Sequence, residues 1–130
     1  MNRPLGHQKQ ILAIAGLLFA LATVLGALAA HALPSRMSMN AIDIFDTGVR
    51  YQFYNTLGLF AIGLTSCIID SRFVIWSAWL VVAGIVLFSG SIYWLAFGAP
   101  VVIGFATPLG GFSFIVAWIL YAIGVLRHSK

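Results

Sequence analysis

Four long apolar blocks, separated by shorter polar stretches, make up most of this chain. Each block is close to the ~20 residues that an α-helix, rising ~1.5 Å per residue, needs to cross ~30 Å of hydrocarbon. The pattern therefore predicts four transmembrane helices, at about residues 11–32, 50–69, 73–97 and 107–126. The expected fold class is all-α: a four-transmembrane-helix bundle that forms a single integral membrane domain over residues 1–130.

The first apolar block also has features of a signal peptide. It follows a basic N-terminus and ends in an Ala-x-Ala pattern at Ala30 and Ala32. A signal peptide has a shorter apolar core, of ~7–15 residues. Because the block from Ile11 to Ala30 is longer than that, we expect it to be retained as the first helix.

The connection between the first two blocks predicts a short amphipathic interfacial helix, at about residues 40–48. Ile42, Phe45 and Val49 fall on one helical face and polar side chains on another, which is typical of a helix that lies along the membrane surface. Gly48 is a weak helix former. We expect a bend at this glycine, where the chain turns from the surface into the membrane.

Two helix starts are indicated by residues that cap helices. Asn40 is a suitable N-cap for the interfacial helix, because its side chain accepts a hydrogen bond from a free backbone N–H group. Thr107 followed by Pro108 has the form of an N-cap and a first helical residue. We expect the fourth helix to begin there.

Composition supports an integral membrane protein. Hydrophobic residues make up 62% of the chain and charged residues 8%, whereas soluble domains carry about 25% charged residues. The formal charge is +4, but the basic residues stand singly or in pairs between apolar runs. No basic stripe is present that would follow a phosphate backbone, so nucleic acid is excluded as a partner.

Lysine and arginine residues are distributed unevenly between the two predicted sides of the membrane. With four spans, both termini and residues 70–72 share one side. That side carries five basic residues: Arg3, Lys9, Arg72, Arg127 and Lys130. The other side carries Arg36 and Arg50. By the positive-inside rule, both termini are predicted to be cytoplasmic in a multi-pass protein of the bacterial inner (plasma) membrane.

Polar side chains concentrate near the predicted non-cytoplasmic end. We refer to these residues as the polar cluster: His31, Asp43, Asp46, Arg50, Gln52, Asn55, Ser89, Ser91, Tyr93 and Thr107. Such a concentration suits a ligand or partner contact, a gate, or a hydrogen-bonded network that holds the bundle together. The three interpretations are open at this point.

The spacing within the polar cluster favours structural roles for several members. Asp46 and Arg50 are an i,i+4 pair in the favourable order, so we expect an ion pair that anchors the chain at the interface. Gln52 and Asn55 share a helical face, and amides on such a face commonly bond neighbouring helices. The alternative for Arg50 is a contact with a substrate or a lipid headgroup.

Catalytic, metal and cofactor sites are not predicted. His31 is separated from His7 and His128 by the membrane, and Cys67 is the single cysteine, so no zinc or haem ligand set forms. Ser89 or Ser91 with His31 and an aspartate would supply the residue types of a nucleophilic triad. No sequence signature accompanies those serines, and an intramembrane hydrolase is therefore the third hypothesis.

Small residues recur at every fourth position of the first helix. Ala22, Gly26 and Ala30 form one such series, and Gly16 and Ala20 another. This spacing lets helix backbones approach closely. We expect both series to pack inside the bundle, with a homo-oligomer as the alternative.

Four segments carry a family resemblance: "GALAAHAL", "FDTGVRYQFYNTLGL", "FSGSIYWLA" and "TPLGGFSFIVAW". In this order they resemble the small membrane proteins grouped as domain of unknown function 423, the YgdD-like family. The resemblance implies a four-helix protein of the bacterial inner membrane, with metazoan relatives and no settled activity. The family often has His where this chain has Asn55, so proton chemistry at that position is not expected here.

The favoured functional interpretation is a non-enzymatic protein: an interaction or accessory subunit of a membrane complex, or a lipid-contacting protein. Its expected partners are membrane lipid and a membrane protein or a second copy of the chain. The alternative is a small transporter or channel that forms a path as an oligomer. Against transport, no ionisable side chain is placed at mid-membrane by the sequence.

Overall fold

The computed structural model describes residues 6–128, and these residues form an all-α protein without strands. Its four helices are α1 (Gly6–His31), α2 (Met39–Ile68), α3 (Arg72–Ala96) and α4 (Ala106–Leu126). Two short 3-10 segments, Leu33–Ser35 and Val101–Phe105, lie in the longer connections. The predicted all-α class and the predicted number of long helices are confirmed. Arg3 and Lys130, which entered the charge count, lie outside the described residues.

Helix α2 is one continuous helix, so the predicted division into an interfacial helix at 40–48 and a spanning helix at 50–69 is wrong. The physical reason is a buried stripe that runs through the predicted boundary without a break. It consists of Ile42, Phe45, Val49, Gln52, Thr56 and Leu59. Because their spacing alternates between three and four residues, a single straight helix buries all of them.

Gly48 has a packing role rather than a bending role. The helix is uninterrupted at this residue, and a Cβ atom here would lie 2.7 Å from Cε1 of Tyr93 and 3.1 Å from Cγ2 of Ile92. The first distance is shorter than real Cβ contacts, and the second is tight. The glycine therefore lets α2 approach α3 closely.

Both predicted N-caps are wrong by a small shift. The side chain of Ser38, not Asn40, caps α2 by accepting a hydrogen bond of 3.2 Å from the Ala41 backbone N–H. Helix α4 begins at Ala106, directly after a 3-10 turn, so Thr107 is already helical. The preceding turn continues into the helix, which leaves the Thr107 hydroxyl free to contact another helix.

Consecutive helices are antiparallel, and the bundle therefore has two ends. At the terminal end lie the start of α1, residues 69–71 and the end of α4. At the distal end lie residues 32–38 and 97–105. Near the terminal end, the Gln8 side-chain amide donates a hydrogen bond of 3.4 Å to the Ser66 carbonyl, which joins α1 to α2.

The helices pack in chain order: α1 on α2, α2 on α3 and α3 on α4. Two apolar clusters form the core. The larger one contains Ile11, Ala15, Leu59, Ile62, Val74, Ala78, Val81, Ile85, Phe114 and Ala117. The second, toward the distal end, contains Ala29, Leu33, Ile42, Phe45, Val49 and Ala96.

Helix α1 lies at the edge of the bundle, so some of its small residues are buried and others are exposed. Ala22 is buried, and a Cβ atom at Gly26 would be 3.5 Å from Val49, as expected for packing inside the bundle. Gly16, Ala20 and Ala30 are exposed instead. The prediction that these three lie in the core is wrong, because α1 is covered mainly by α2 and scarcely by α3.

Three segments within residues 6–128 are long and apolar enough to cross a membrane: Gly6–His31, Arg72–Ala96 and Val101–Leu126. Large apolar side chains cover their outward faces. Examples are Leu17, Val86 and Ile115, each at least 60% exposed. A soluble protein rarely exposes contiguous apolar surface of this extent, whereas lipid covers it in a membrane protein.

Candidate functional site

The members of the polar cluster are buried, exposed or partly covered. Three members, Gln52, Ser89 and Ser91, are buried. His31, Asp43 and Arg50 are exposed on helix surfaces. The remaining members are partly covered: Asp46, Asn55, Tyr93 and Thr107. The structure therefore does not bring all ten residues together at one site.

Gln52 is one of the buried members and is only 1% exposed. Its side-chain amide donates a hydrogen bond of 3.0 Å to the Leu18 carbonyl of α1. Its carbonyl accepts a hydrogen bond of 2.6 Å from the Tyr93 hydroxyl of α3. One side chain thus links three helices, and Leu18 places the link midway along α1. Gln52 makes the predicted interhelical contacts, at mid-depth rather than near the distal end.

Ser89 adds a second bond between α2 and α3. Its hydroxyl donates a hydrogen bond of 2.8 Å to the Gly48 carbonyl. The ring of Tyr93 packs against Gly48 and lies 4.9 Å from the Phe45 ring, measured between centroids. The missing side chain at Gly48 therefore allows both the aromatic contact and the close approach of the Ser89 hydroxyl.

Ser91 and Thr107 join α3 to α4 near the distal end. Their hydroxyl oxygens are 2.6 Å apart, and Ser91 is also 2.9 Å from the Phe88 carbonyl. A hydroxyl carries one proton and accepts two hydrogen bonds, so the pair can satisfy itself within the protein. These two members of the polar cluster connect helices.

Further interhelical bonds involve residues that the sequence did not single out. Ser113 donates to the Leu80 carbonyl at 2.7 Å, and the hydroxyls of Thr65 and Tyr121 are 3.0 Å apart. Each is a polar residue inside an apolar helix, and this position is the feature of the sequence that could have indicated a bond between helices. Helices α2, α3 and α4 are therefore joined by polar contacts along most of their length.

Thr56 differs from the other threonines of the long helices. Thr23, Thr47 and Thr65 each donate to the carbonyl four residues before them. The Thr56 hydroxyl is fully buried and has no protein partner within the described residues. A buried hydroxyl without a partner costs about 1–3 kcal/mol. Thr56 was not among the residues singled out from the sequence.

The exposed member Arg50 and the partly covered members Asp46 and Asn55 make local contacts. Arg50 forms the predicted ion pair with Asp46, at 3.1 Å between Nη2 and Oδ2, with the side chains 62% and 44% exposed. Asn55 donates to the Tyr51 carbonyl of its own helix at 2.9 Å. The predicted interhelical role of Asn55 is therefore wrong, since its amide is used within α2.

The chemical capacity of the cluster follows from these bonds. Ser89 and Ser91 bond backbone carbonyls and Thr107, and neither is hydrogen-bonded to His31. Among residues 6–128, no group of three His, Cys, Asp or Glu side chains is placed to hold a metal ion. What the arrangement does is connect helices in a low-dielectric interior, where paired polar groups add specificity to apolar packing.

Comparisons with known proteins agree with this architecture. The family described as "Protein of unknown function (DUF423)" matches residues 25–111. A UPF0382 membrane protein of Staphylococcus saprophyticus is 41% identical over 102 residues, which cover 78% of this chain and 84% of that protein.

Two further relatives extend the match to nearly the whole chain. The UPF0382 membrane protein YwdK of Bacillus subtilis is 38% identical, over 83% of this chain and 89% of its own length. The UPF0382 inner membrane protein YgdD of Escherichia coli is 36% identical, over 91% of this chain and 88% of its own length. No solved structure shows a significant match. With its apolar helices and these relatives, this chain belongs to the DUF423 family of membrane proteins of unknown function.

Proposed function

We propose that this protein is a non-enzymatic interaction subunit, which binds a transmembrane helix of another membrane protein along α1. The observation that carries the proposal is the uncovered side of α1. It presents a row of exposed small residues, which we call the outer face of α1: Ala13, Gly16, Ala20, Thr23, Ala27 and Ala30. Their spacing alternates between three and four residues.

The outer face suits an apolar helix as its occupant. A spacing of three and four residues is that of a left-handed helix pair, and small side chains let two backbones approach closely. A Cβ atom at Gly16 would have no neighbour within 4 Å. The face carries no charge and extends along most of α1, so it favours a long apolar segment rather than a polar loop.

The polar cluster supports an interaction role indirectly. Its buried hydroxyl and amide groups are used in bonds between helices, chiefly by Gln52, Ser89 and Ser91. These bonds hold the bundle in one arrangement. A rigid bundle keeps α1 in place as a binding surface and loses less conformational freedom when a partner binds.

A four-span topology with both termini in the cytoplasm is part of the proposal. Helices α1 and α3 run in the same direction, so the chain between His31 and Arg72 must return across the membrane. Helix α2 is the only segment there long enough to do so, and its polar Gln52 is covered by α1 and α3. The described basic residues at the terminal end, Lys9 and Arg72 among them, favour the cytoplasmic side for that end.

Reporter fusions test this topology. We expect a fluorescent protein fused after residue 130 to be active in the cytoplasm, and alkaline phosphatase fused there to be inactive. The same two reporters inserted after Gly98, in the distal connection, should show the opposite pattern. Identical results at the two positions would contradict a single span between them, and with it the proposed topology.

Site-specific crosslinking in intact membranes tests the interaction. A photoreactive residue at Leu21, beside the outer face of α1, should yield a discrete crosslinked product. Ala20→Leu should reduce that product at least fivefold, because the larger side chain separates the two helices. Ala83→Leu is the matched control, since Ala83 is also exposed, on α3, and its substitution should leave the product unchanged.

The crosslinking result also separates the alternatives. A product with the mass of two copies of this chain would mean self-association and would favour the oligomeric transporter or channel. A product of another mass, lost in Ala20→Leu, supports an accessory subunit. No product at Leu21, or equal loss in both variants, would contradict the proposed role of α1.

A further inference from the structure

The terminal end of the bundle contains an open basic pocket that is separate from the polar cluster. It has a volume of about 460 Å³ and lies between the start of α3 and the end of α4. Its polar lining includes Ser71, Arg72, Arg127 and His128, together with Asp70. Two guanidinium groups and one carboxylate leave the pocket with a net positive charge when His128 is neutral.

The shape of this pocket depends on close packing between α3 and α4. A Cβ atom at Gly124 would lie 2.9 Å from Val74 and 3.0 Å from the Ser71 hydroxyl, so the glycine brings the end of α4 against the start of α3. The Arg127 guanidinium carbon lies 5.8 Å from the centroid of the Phe73 ring. A cation at this distance is attracted by the ring, which helps to hold Arg127 at the rim.

An apolar groove follows on the same helix, one turn deeper into the bundle. It has a volume of about 230 Å³ and is lined by Trp76, Trp79 and Leu80. Phe73 and Trp76 are three residues apart on α3, so the groove continues the direction of the basic pocket along one side of the helix. Trp76 is 65% exposed at this position, as is typical of side chains at the level of lipid headgroups.

We propose that the basic pocket and the apolar groove together bind one anionic phospholipid. The headgroup phosphate would accept hydrogen bonds from Arg72 and Arg127, since guanidinium groups match phosphate oxygens in charge and geometry. One acyl chain would lie along Trp76 and Leu80. The site sits where the apolar spans end, which is where a lipid places its phosphate.

The order of the two cavities is what favours a lipid over a soluble phosphate. A free anion needs only the pocket, whereas a phospholipid needs a charged site and an apolar path in the right sequence along the membrane normal. Both are present on α3 within about 12 Å, at a rise of ~1.5 Å per residue from Arg72 to Leu80. The inference does not depend on the protein partner proposed for α1.

Native mass spectrometry of the protein in mild detergent tests the headgroup contact. We expect phosphatidylglycerol to bind about tenfold more tightly than phosphatidylcholine with the same acyl chains. Arg127→Gln should weaken phosphatidylglycerol binding about tenfold, the effect of one charged hydrogen bond. Arg36→Gln, which removes the same charge at the distal end, should change it less than twofold. Arg127→Lys keeps the charge but loses the planar set of N–H donors, so we expect a loss of binding smaller than that of Arg127→Gln.

A second set of measurements tests the apolar groove. Trp76→Ala should weaken phosphatidylglycerol binding severalfold, whereas Trp94→Ala, at an exposed position near the distal end of α3, should not. Glycerophosphoglycerol, the headgroup without acyl chains, should bind far more weakly than the lipid. Circular dichroism checks that every variant is folded, which is expected because the substituted side chains are exposed.

Each other outcome overturns a stated part of the inference. Equal losses in Arg127→Gln and Arg36→Gln would mean general attraction to charge and no site. If glycerophosphoglycerol bound as tightly as the lipid, the pocket would be a site for a soluble anion and not for a lipid. Equal phosphatidylglycerol binding by the Trp76→Ala and Trp94→Ala variants would show that the groove does not hold an acyl chain. Equal binding of phosphatidylcholine would exclude selection for an anionic headgroup.

Discussion

Gly110→Ala is expected to destabilise the bundle by roughly 3 kcal/mol, at the upper end of what overpacking costs. A Cβ atom at this buried glycine of α4 would lie 2.5 Å from the Phe88 backbone nitrogen and 2.9 Å from the Gly84 carbonyl oxygen of α3. Both atoms belong to the backbone of α3, so no side chain can rotate away. The two helices would have to separate, which opens the close contact between α3 and α4.

The neighbouring glycine provides the control for this experiment. A Cβ atom at Gly111 would have no neighbour within 4 Å, so Gly111→Ala should be neutral or stabilising by up to about 1 kcal/mol, as alanine favours helix formation. The measurement is the SDS concentration at the midpoint of unfolding, followed by circular dichroism in mixed micelles. Similar midpoints for the two variants would show that α3 and α4 do not approach this closely.

Gln52→Leu is expected to destabilise the bundle by about 2 kcal/mol. The substitution removes the hydrogen bond to the Leu18 carbonyl and leaves the Tyr93 hydroxyl without its acceptor. A hydrogen bond between transmembrane helices contributes ~0.6 kcal/mol on average, and an unpaired buried group adds a desolvation cost of ~1–3 kcal/mol. Leucine fills a similar volume, so a cavity contributes little.

Asn55→Leu is the matched control for Gln52→Leu, because it also replaces an amide of α2 by leucine. Asn55 bonds only its own helix, and we expect its loss to change stability by less than about 0.5 kcal/mol, as for other surface substitutions. Adding Tyr93→Phe to Gln52→Leu should recover stability, since both partners of the bond are then removed. Equal effects of the two single leucine variants, or no recovery in the double variant, would contradict a link between α1, α2 and α3 at Gln52.

Apolar patterning predicted the long helices because hydrocarbon imposes a minimum length on every span. The expected helices at 73–97 and 107–126 compare with Arg72–Ala96 and Ala106–Leu126 in the structure. The i,i+4 pair of Asp46 and Arg50 was also predictable, because its partners lie on one helix. Local rules suffice for features that a single helix determines.

The predicted division of α2 into two helices was wrong because burial outweighs local propensity there. Gly48 and the charged residues before it suggested a boundary, but the buried positions Ile42, Val49 and Gln52 keep one helical stripe through it. Burial of a continuous stripe outweighs the ~1 kcal/mol that a glycine costs in a helix. The spacing of this stripe is present in the sequence, but the stripe contains polar as well as apolar side chains, so apolar patterning alone does not reveal it.

Partners across helices could not be predicted from the chain alone. Gln52 and Asn55 look equivalent in sequence, yet only Gln52 faces α1 and α3 while Asn55 bonds within α2. Gly16 and Gly110 are both small residues in apolar helices, yet one is exposed and the other meets a backbone. Helical periodicity defines faces but not which neighbour, if any, covers each face.

The sequence by itself determined that this is an all-α membrane protein with long apolar helices, because length and hydropathy are properties of individual segments. The tertiary structure decided that α1 lies at an edge, that Gln52, Ser89 and Ser91 bond between helices, and that Arg127 and Trp76 line two cavities along α3. The physical reason is that these features depend on which helix faces pack together. That choice is made by the fit of many side chains at once, not by any one stretch of the chain.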